Sequence, residues 1–480
     1  MLQDTSITPT GKRLPLPVKP RGAASRDEQL QSVYLRLHEA AEIMWASSLY
    51  FPCLVAVSSF FLFTGSQLQG CIFLAGFFCF MAVCCGDMMS LLLPALLFCL
   101  LTTHFYEDYS ELLSNWPMFV AAIMAVVLHY YLYPVRRKSG PLLRPLLAVS
   151  AATLLGGLGS IPASQYFSVV SLYYVLALGP GMVGVYLLVR TQLARSRGYH
   201  VLARFLNVLY YGGIFTGLVV LETYLVHMTA FLRTFSVLYF SYRNFCATIL
   251  LMALPTACLP SEEGRIRWGG LAFFYFSLLI TGSRSALLFG SLMLAACLVY
   301  LYRKNPASRR RYRLAALLIG VPAAVLLWEF VPVLFASRME DGALISAQDS
   351  RVTFFIQAMR DFFSSPIFGK GLGNLNNSAI FIGVSGSIVW YHNLFAQILG
   401  SMGLVGAAAY GYLYYERGRL LFTKRSAEMT IAAFSACGMV LVSMTNPGEF
   451  CPLPNEFLMA ALFAILESLP DKPVRVRAAR

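Results

Sequence analysis

Charged residues are scarce in this chain. Asp, Glu, Lys and Arg make up 12% of its 480 residues, about half the share of roughly 25% that a soluble globular domain carries. Too few charges remain to cover a water-facing surface of this size. Hydrophobic residues make up 58% and come in blocks of about 20, the length that crosses a hydrocarbon core of roughly 30 Å. The chain is therefore predicted to be a polytopic integral membrane protein.

Acidic residues are the scarcer charge sign, with 23 Asp and Glu against 37 Lys and Arg. The basic residues stand in short clusters between apolar blocks, as topology signals do, so no nucleic-acid partner is predicted. The 11 cysteines lie mostly inside apolar segments, with neither a disulfide framework nor the spacing of zinc ligands. No metal and no cofactor is predicted.

The N-terminal segment lacks any apolar stretch that would make a secretory signal peptide. Its first 26 residues are basic and proline-rich and are predicted to form a disordered cytosolic tail. Residues 27–42 are a candidate interfacial helix lying on the membrane surface. Residues 1–42 thus precede a transmembrane domain that is predicted to occupy residues 43–480.

The apolar blocks predict an all-α fold, because a chain in lipid must satisfy its backbone hydrogen bonds within each span. About 14 blocks, and at least about 12, have spanning length. Basic clusters follow the fourth, sixth, tenth and twelfth blocks, so the positive-inside rule places the N- and C-termini in the cytosol. The block centres lie near residues 55, 76, 96, 126, 151, 178, 215, 248, 273, 293, 325, 402, 437 and 461.

One long connection, residues 337–388, separates the eleventh and twelfth blocks. The orientation places it on the extracytoplasmic side, and loops longer than about 12–15 residues are usually functional or disordered. Residues 351–363 have the amphipathic spacing of a helix, which Ser364-Ser365-Pro366 ends. The sequence GKGLG at 369–373 lacks the strand–helix context of a dinucleotide fingerprint and is interpreted as a flexible turn.

Four ionisable residues map to the outer ends of the blocks or to this loop, and charge at membrane depth is costly enough to make them functional candidates. Each has a plainer interpretation, as an interfacial arginine, a solvated helix face or an aromatic-belt residue. Together they suit a lipid diphosphate, since guanidinium groups bind phosphate in bidentate fashion and histidine takes a proton near neutral pH. The four are Arg243, Arg284, Arg351 and His392.

Two further pairs are weaker candidates. Glu222 and His227 are predicted to form a polar pair within the bundle. Glu449 and Glu456 flank Asn446-Pro447-Gly448 near the last outer loop. The interpretation as solvated loop residues is preferred for these two glutamates over a role in lining a cavity.

The order of these motifs resembles the O-antigen ligase and O-antigen polymerase superfamily of membrane glycosyltransferases. The resemblance covers roughly residues 205–415. Its pieces are, in order, Arg243-Asn244, TGSRSALL at 281–288, Arg351 at the start of a helix that leads into PIFGKGLG at 366–373, and HNL at 392–394 leading into GSMGLVG at 400–406.

This resemblance implies a GT-C-like membrane fold with an extracytoplasmic active site in the bacterial cytoplasmic (inner) membrane. The implied reaction is an inverting, metal-independent transfer of a glycan from polyprenyl diphosphate to a glycan or lipid-glycan acceptor. Arg243, Arg284 and Arg351 would hold the diphosphate, and Arg284 and His392 would be catalytic. The candidate residues lining the cavity are Asn244, Tyr391 and Asn393.

Several questions stay open at this point: ligase against surface-polysaccharide polymerase, the sugar, the acceptor and the oligomeric state. The main alternative is a polysaccharide or lipid transporter or flippase, a class that often has 12–14 helices. Transporters usually have repeated halves with broken helices near the midplane, and the two halves here look unlike. A peptidoglycan polymerase of the shape, elongation and division type and a non-catalytic scaffold are the remaining alternatives, and the motifs of the former are not found.

Overall fold

The computed structural model describes most of the chain as helix. The described residues are 26–105, 110–136, 138–156, 169–193, 200–234, 242–260, 266–304, 350–372, 390–423, 426–451 and 453–469, with isolated positions between 309 and 328. Within these ranges an isolated β-bridge between Pro260 and Ile266 is recorded and no strand forms. The predicted all-α fold is confirmed for this part of the chain.

Most of the described residues belong to α-helices. In chain order, those among the described residues are α1 Arg26–Ala46, α2 Tyr50–Phe63, α3 Gln67–Cys84, α4 Leu92–Leu101, α5 Ser110–Ser114, α6 Pro117–Leu132, α7 Leu143–Leu155, α8 Val169–Leu176, α9 Met182–Gln192, α10 His200–Val226, α11 Met228–Thr234, α12 Arg243–Ala253, α13 Trp268–Ile280, α14 Arg284–Lys304, α15 Ser350–Ser364, α16 Leu394–Thr423, α17 Ala427–Ser443 and α18 Leu453–Ser468.

Six helical segments in the described ranges are long and apolar enough to cross a membrane, and a bent pair, Leu30–Ala46 with Tyr50–Phe63, raises the number to seven if it is one span. The chain is thus a helical membrane protein. The six are Gln67–Cys84, Met88–Phe105, Ser171–Gln192, Val201–Val226, Arg284–Lys304 and Leu394–Thr423.

The predicted count of about 14 spans is not supported by helix length. Every predicted block centre, including the isolated described position at residue 325, is helical. However, α6, α7 and α13 have 16, 13 and 13 residues. At 1.5 Å per residue they are about 20–24 Å long, which is less than the roughly 30 Å of a hydrocarbon core. The apolar runs therefore predict where the helices lie, but they overestimate how many described helices are long enough to span the membrane.

Helix α10 lies at the centre of the packed bundle. Its side chains Phe205, Leu209 and Phe215 are fully buried. Two glycines allow neighbouring helices to approach closely, because a β-carbon on Gly212 would lie 2.4 Å from Leu96 and one on Gly213 would lie 2.3 Å from Ala253. Small residues at such contacts are typical of helix packing in membranes, where dispersion contacts hold helices together.

The N-terminal helix α1 forms over the predicted interfacial segment and meets α2 at 93°. Its far end is fastened to the connection after α3. Trp45 donates a 3.0 Å hydrogen bond to Asp87, and the Arg204 guanidinium lies 4.5 Å above the Trp45 ring. The location of α1 on the membrane surface stays a prediction. Residues 1–25 of the predicted disordered tail lie outside the described residues, and its last residue, Arg26, is the first of α1.

The long helix α16 is interrupted at Gly403, whose φ of 61° and ψ of −151° are not helical. Residues 366–371 occupy the break. Lys370 N donates to Gly400 O and Gly371 N to Ser401 O, both at 2.8 Å, while the amides of Leu404 and Val405 donate back to the carbonyls of residues 366 and 367. The glycine-rich segment is therefore a docked turn, and its interpretation as a flexible one is wrong.

Candidate functional site

The predicted site begins with a contact between two helix starts. Arg243 is the first residue of α12 and Arg284 is the first residue of α14. Ser283 donates a 3.1 Å hydrogen bond to the Asn244 side-chain carbonyl, which ties the two starts together. Gly282, with φ of 66°, turns the chain between α13 and α14 in a conformation that favours glycine.

The electrostatics of this pair of helix starts favour an anion. A helix N-terminus carries a partial positive charge and unpaired N–H groups, so a cation placed there is unfavourable and an anion is favourable. Arg243 and Arg284 add two formal positive charges to two such ends, and both side chains are half-buried. Among the described residues, no carboxylate forms an ion pair with Arg284. A phosphate-bearing ligand would offset the positive charge of Arg284 at this helix start.

His392 is held in an unusual backbone conformation just before α16. Its φ is 54°, a left-handed value that is uncommon for a residue other than glycine and marks local strain. Its ring stacks on Phe354 of α15, with centroids 5.2 Å apart. The neighbouring Asn393 accepts a 3.0 Å hydrogen bond from Ala396 N and so caps α16. The half-buried His392 is thereby fixed on both sides.

Tyr391 connects this segment to the helix of the long loop. Its hydroxyl donates a 2.5 Å hydrogen bond to Asp361 of α15, and Gln357 donates a second one at 3.0 Å. Burial raises the pKa of the Asp361 carboxyl, and these two hydrogen bonds lower it in part. Gln397 accepts from Tyr391 N at 2.9 Å. Tyr391 is buried in these contacts, and its role in lining a cavity stays a prediction.

A turn formed by residues 444–451, between α17 and α18, touches both parts of the site. Asn446 donates a 2.8 Å hydrogen bond to Ser285, next to Arg284. The Met444 carbonyl accepts a 2.9 Å hydrogen bond from Asn393, next to His392. The 444–451 turn therefore joins two segments that stand more than a hundred residues apart in the sequence.

The third predicted arginine is placed only in part. Arg351 lies in the first turn of α15, as predicted, but its side chain lies outside what the structure describes. Phe354, which stacks on His392, follows three residues later and so lies about one turn further along the same helix face. The structure thus brings the backbone of Arg351 within about one turn of a residue that touches His392.

Two weaker predictions are wrong. Glu222 pairs with His104, at 3.3 Å, and not with His227, which is exposed. Glu449 and Glu456 are buried, with side chains 2% and 8% exposed, and both bind Arg417. They are not solvated loop residues.

Arg417 is not among the predicted site residues. It stands in the basic cluster after the twelfth block, and such a cluster is typical of a topology signal. Its side chain is only 4% exposed. An arginine so close to the apolar part of its block, with two glutamates following a later Asn-Pro-Gly turn, is the signal that points to a buried ion pair. Within the described part of the chain, no group of three or more His, Cys, Asp or Glu side chains comes together as metal ligands.

Comparison with known proteins bears on the segment that holds most of this site. The family model for O-antigen ligase matches residues 269–411, from the start of α13 into α16. No curated protein and no solved structure matches the chain. The matched residues include Arg284, Arg351 and His392. The match over residues 269–411 supports the resemblance to the O-antigen ligase and polymerase superfamily that the order of the motifs predicted.

Proposed function

We propose that this chain is a membrane glycosyltransferase that moves a glycan from polyprenyl diphosphate to a glycan or lipid-glycan acceptor on the outer face of the bacterial inner membrane. The observation that carries the proposal is the junction of the α12 and α14 starts, where Asn244 and Ser283 meet at 3.1 Å beside Arg243 and Arg284. Two arginines on two helix N-termini form a preorganised anion site.

The diphosphate of the donor occupies this anion site. As the bond between the anomeric carbon and the diphosphate oxygen breaks, negative charge develops on the leaving group. Arg243, Arg284 and Arg351 stabilise that charge more in the transition state than in the ground state, which is what accelerates the reaction. A fixed arginine cluster supplies the charge that a metal ion supplies in many soluble transferases.

The acceptor hydroxyl attacks the anomeric carbon from the face opposite the diphosphate, which inverts that centre. His392 takes the hydroxyl proton, and polyprenyl diphosphate leaves into the membrane. General-base catalysis of this kind contributes roughly 10²–10⁴ in rate. The stacking of His392 on Phe354 orients the imidazole before the acceptor arrives. Asn244, Tyr391 and Asn393 are proposed to line the cavity that receives the substrates.

The proposed membrane arrangement has more spans than helix length alone supports. We propose that the shorter apolar helices also cross the bilayer, by tilting or local thinning, to give about 14 spans in a GT-C-like arrangement. Both termini then lie in the cytosol and α15 lies outside. Support comes from basic residues such as Arg303 and Lys304 at the end of α14, opposite the end that starts with Arg284.

A transfer assay in nanodiscs tests the proposal. Purified protein is given a polyprenyl-diphosphate-linked glycan and an acceptor glycan, with and without EDTA, and the products are separated by length. We expect product in both conditions from the wild type and a rate lower by roughly 10²–10⁴ from His392→Ala. A ladder of lengths identifies a polymerase and a single addition identifies a ligase. Absence of any new glycosidic bond, with movement of the lipid-linked glycan across the membrane when the same protein is placed in sealed vesicles, would favour the flippase alternative and refute the proposal.

A further inference from the structure

A buried ionic cluster lies outside the residues that the proposed reaction uses. Arg417 of α16 donates from one guanidinium nitrogen to Glu449 and from the other to Glu456, the latter at 2.6 Å. Tyr414 donates to the same Glu449 carboxylate. All three charged side chains are at most 8% exposed. Burying such charges is expensive, and a buried pair is weak evidence for stability by itself, so another role is expected for it.

The cluster fastens the 444–451 turn to the body of the bundle. Glu449 belongs to the turn, whereas Arg417 and Glu456 belong to the long helices α16 and α18. Phe450, the next residue, is 1% exposed and packs against the rings of Trp390 and Tyr410. One end of the turn is therefore held by both a buried ion pair and a buried aromatic ring.

The other end of the turn holds the two halves of the proposed site. Asn446 binds Ser285 at 2.8 Å, and Ser285 lies 3.0 Å from Ser283, which in turn binds Asn244. This chain of polar contacts runs from the turn past Arg284 to the start of α12. Met444 binds Asn393 beside His392 at 2.9 Å.

We infer that Arg417 and Glu449 are positioning residues, whose ion pair sets the 444–451 turn and through it the separation of Arg284 and His392. The inference rests on the proposed function, because it assigns the pair a role in that reaction. Arg417 and Glu449 touch neither donor nor acceptor. A misplacement of about 1 Å can cost roughly 100-fold in rate. Loss of the ion pair therefore lowers the rate of transfer by shifting Arg284 relative to His392, although both side chains are still present.

Glu449→Leu tests this role without stranding a charge. The leucine fills much of the same volume, and Arg417 keeps Glu456 as its partner. The conservative variant Glu449→Gln retains hydrogen bonding to both Arg417 and Tyr414. A matched control is the double variant Glu416→Gln with Arg419→Gln, which removes an ion pair of the same helix that does not involve the turn.

Two readouts are measured on each variant in nanodiscs, amide hydrogen exchange by mass spectrometry and glycan transfer. We expect Glu449→Leu to raise exchange in the turn and around residues 283–287 and 393–397, with the rest of the bundle unchanged. Its kcat should fall roughly 10- to 100-fold at a nearly constant donor KM. Glu449→Gln should stay within about threefold of the wild type, and the control double variant should match the wild type in both readouts.

The outcomes separate the two claims. Unchanged exchange at residues 283–287 and 393–397 in Glu449→Leu would overturn the inference, and so would exchange that rises throughout the bundle, because the cluster would then be a general support. If exchange rises only in the named segments but the wild type makes no product from matched donor and acceptor, the proposed function fails and the mechanical link between the turn and these segments stands.

Discussion

Asn446 donates a 2.8 Å hydrogen bond to Ser285, which precedes it by 161 positions. This contact brings the end of α17 against the start of α14, next to Arg284. It forms between two buried side chains, where a polar group that loses its partner costs about 1–3 kcal/mol. The start of α14 therefore has a fixed position relative to a turn that also contacts the segment of His392.

The break in α16 requires glycine at position 403. A β-carbon there would lie 2.5 Å from the Ile367 carbonyl oxygen, in a backbone conformation with φ of 61°. Gly403→Ala should therefore destabilise the protein by about 1–3 kcal/mol or more, seen as a lower Tm in detergent. Gly411→Ala, on the same helix with nothing within 4 Å of the added carbon, should be neutral or slightly stabilising. Equal Tm values for the two variants would contradict this explanation of the break.

The buried Asp361 carboxyl should make stability depend on pH. Burial raises its pKa above the ordinary value, so the folded state holds the proton more tightly than the unfolded state. The stabilising contribution is then fully present below the unfolded pKa of about 3.9 and is lost as pH rises through the higher folded value. A Tm series from about pH 4 upward should decline for this reason, and Asp361→Asn should flatten the decline. An unchanged slope in the variant would exclude Asp361 as its source.

The stacked pair of Phe354 and His392 should matter for transfer. Aromatic contacts of this kind contribute about 0.5–1.5 kcal/mol beyond buried area. Phe354→Leu is expected to lower the transfer rate about two- to tenfold, whereas His392→Ala should lower it by roughly 10²–10⁴. Phe363→Leu is the matched control, because Phe363 lies on the same helix and is 75% exposed. A Phe354→Leu rate equal to that of the control would show that stacking does not orient the imidazole.

Local features of this fold were predictable from sequence, and long-range pairings were not. Apolar periodicity located the helices, and the order of Arg243-Asn244, TGSRSALL and HNL indicated the segments that form the site. Glu449, one of the two partners of Arg417, is 32 residues away, and the residues around Arg417 do not identify which distant carboxylate it meets. The span count stays a prediction for a related reason, because an apolar run does not reveal where its helix ends.

The docked turn at residues 366–371 illustrates the same limit. Three glycines in five residues predict conformational freedom, and the sequence alone does not identify a partner segment for this turn. The structure supplies one in the interrupted helix α16, where the Gly369 backbone packs directly on Ser401. Two motifs of the family resemblance, PIFGKGLG and GSMGLVG, are thereby explained as the two sides of one contact.

The role of Arg284 is the central claim, and its substitution tests that claim most directly. The measurement is the rate of glycan transfer in nanodiscs by wild type, Arg284→Ala and Arg284→Lys, with the exposed Arg233→Ala as the matched control. The control should match the wild type. Both Arg284 variants should keep the wild-type Tm, because no ion pair with a described residue is lost. Both should lose at least roughly 100-fold in rate, because alanine removes the charge and lysine cannot bind phosphate in bidentate fashion. Transfer by Arg284→Ala at the wild-type rate would contradict the account.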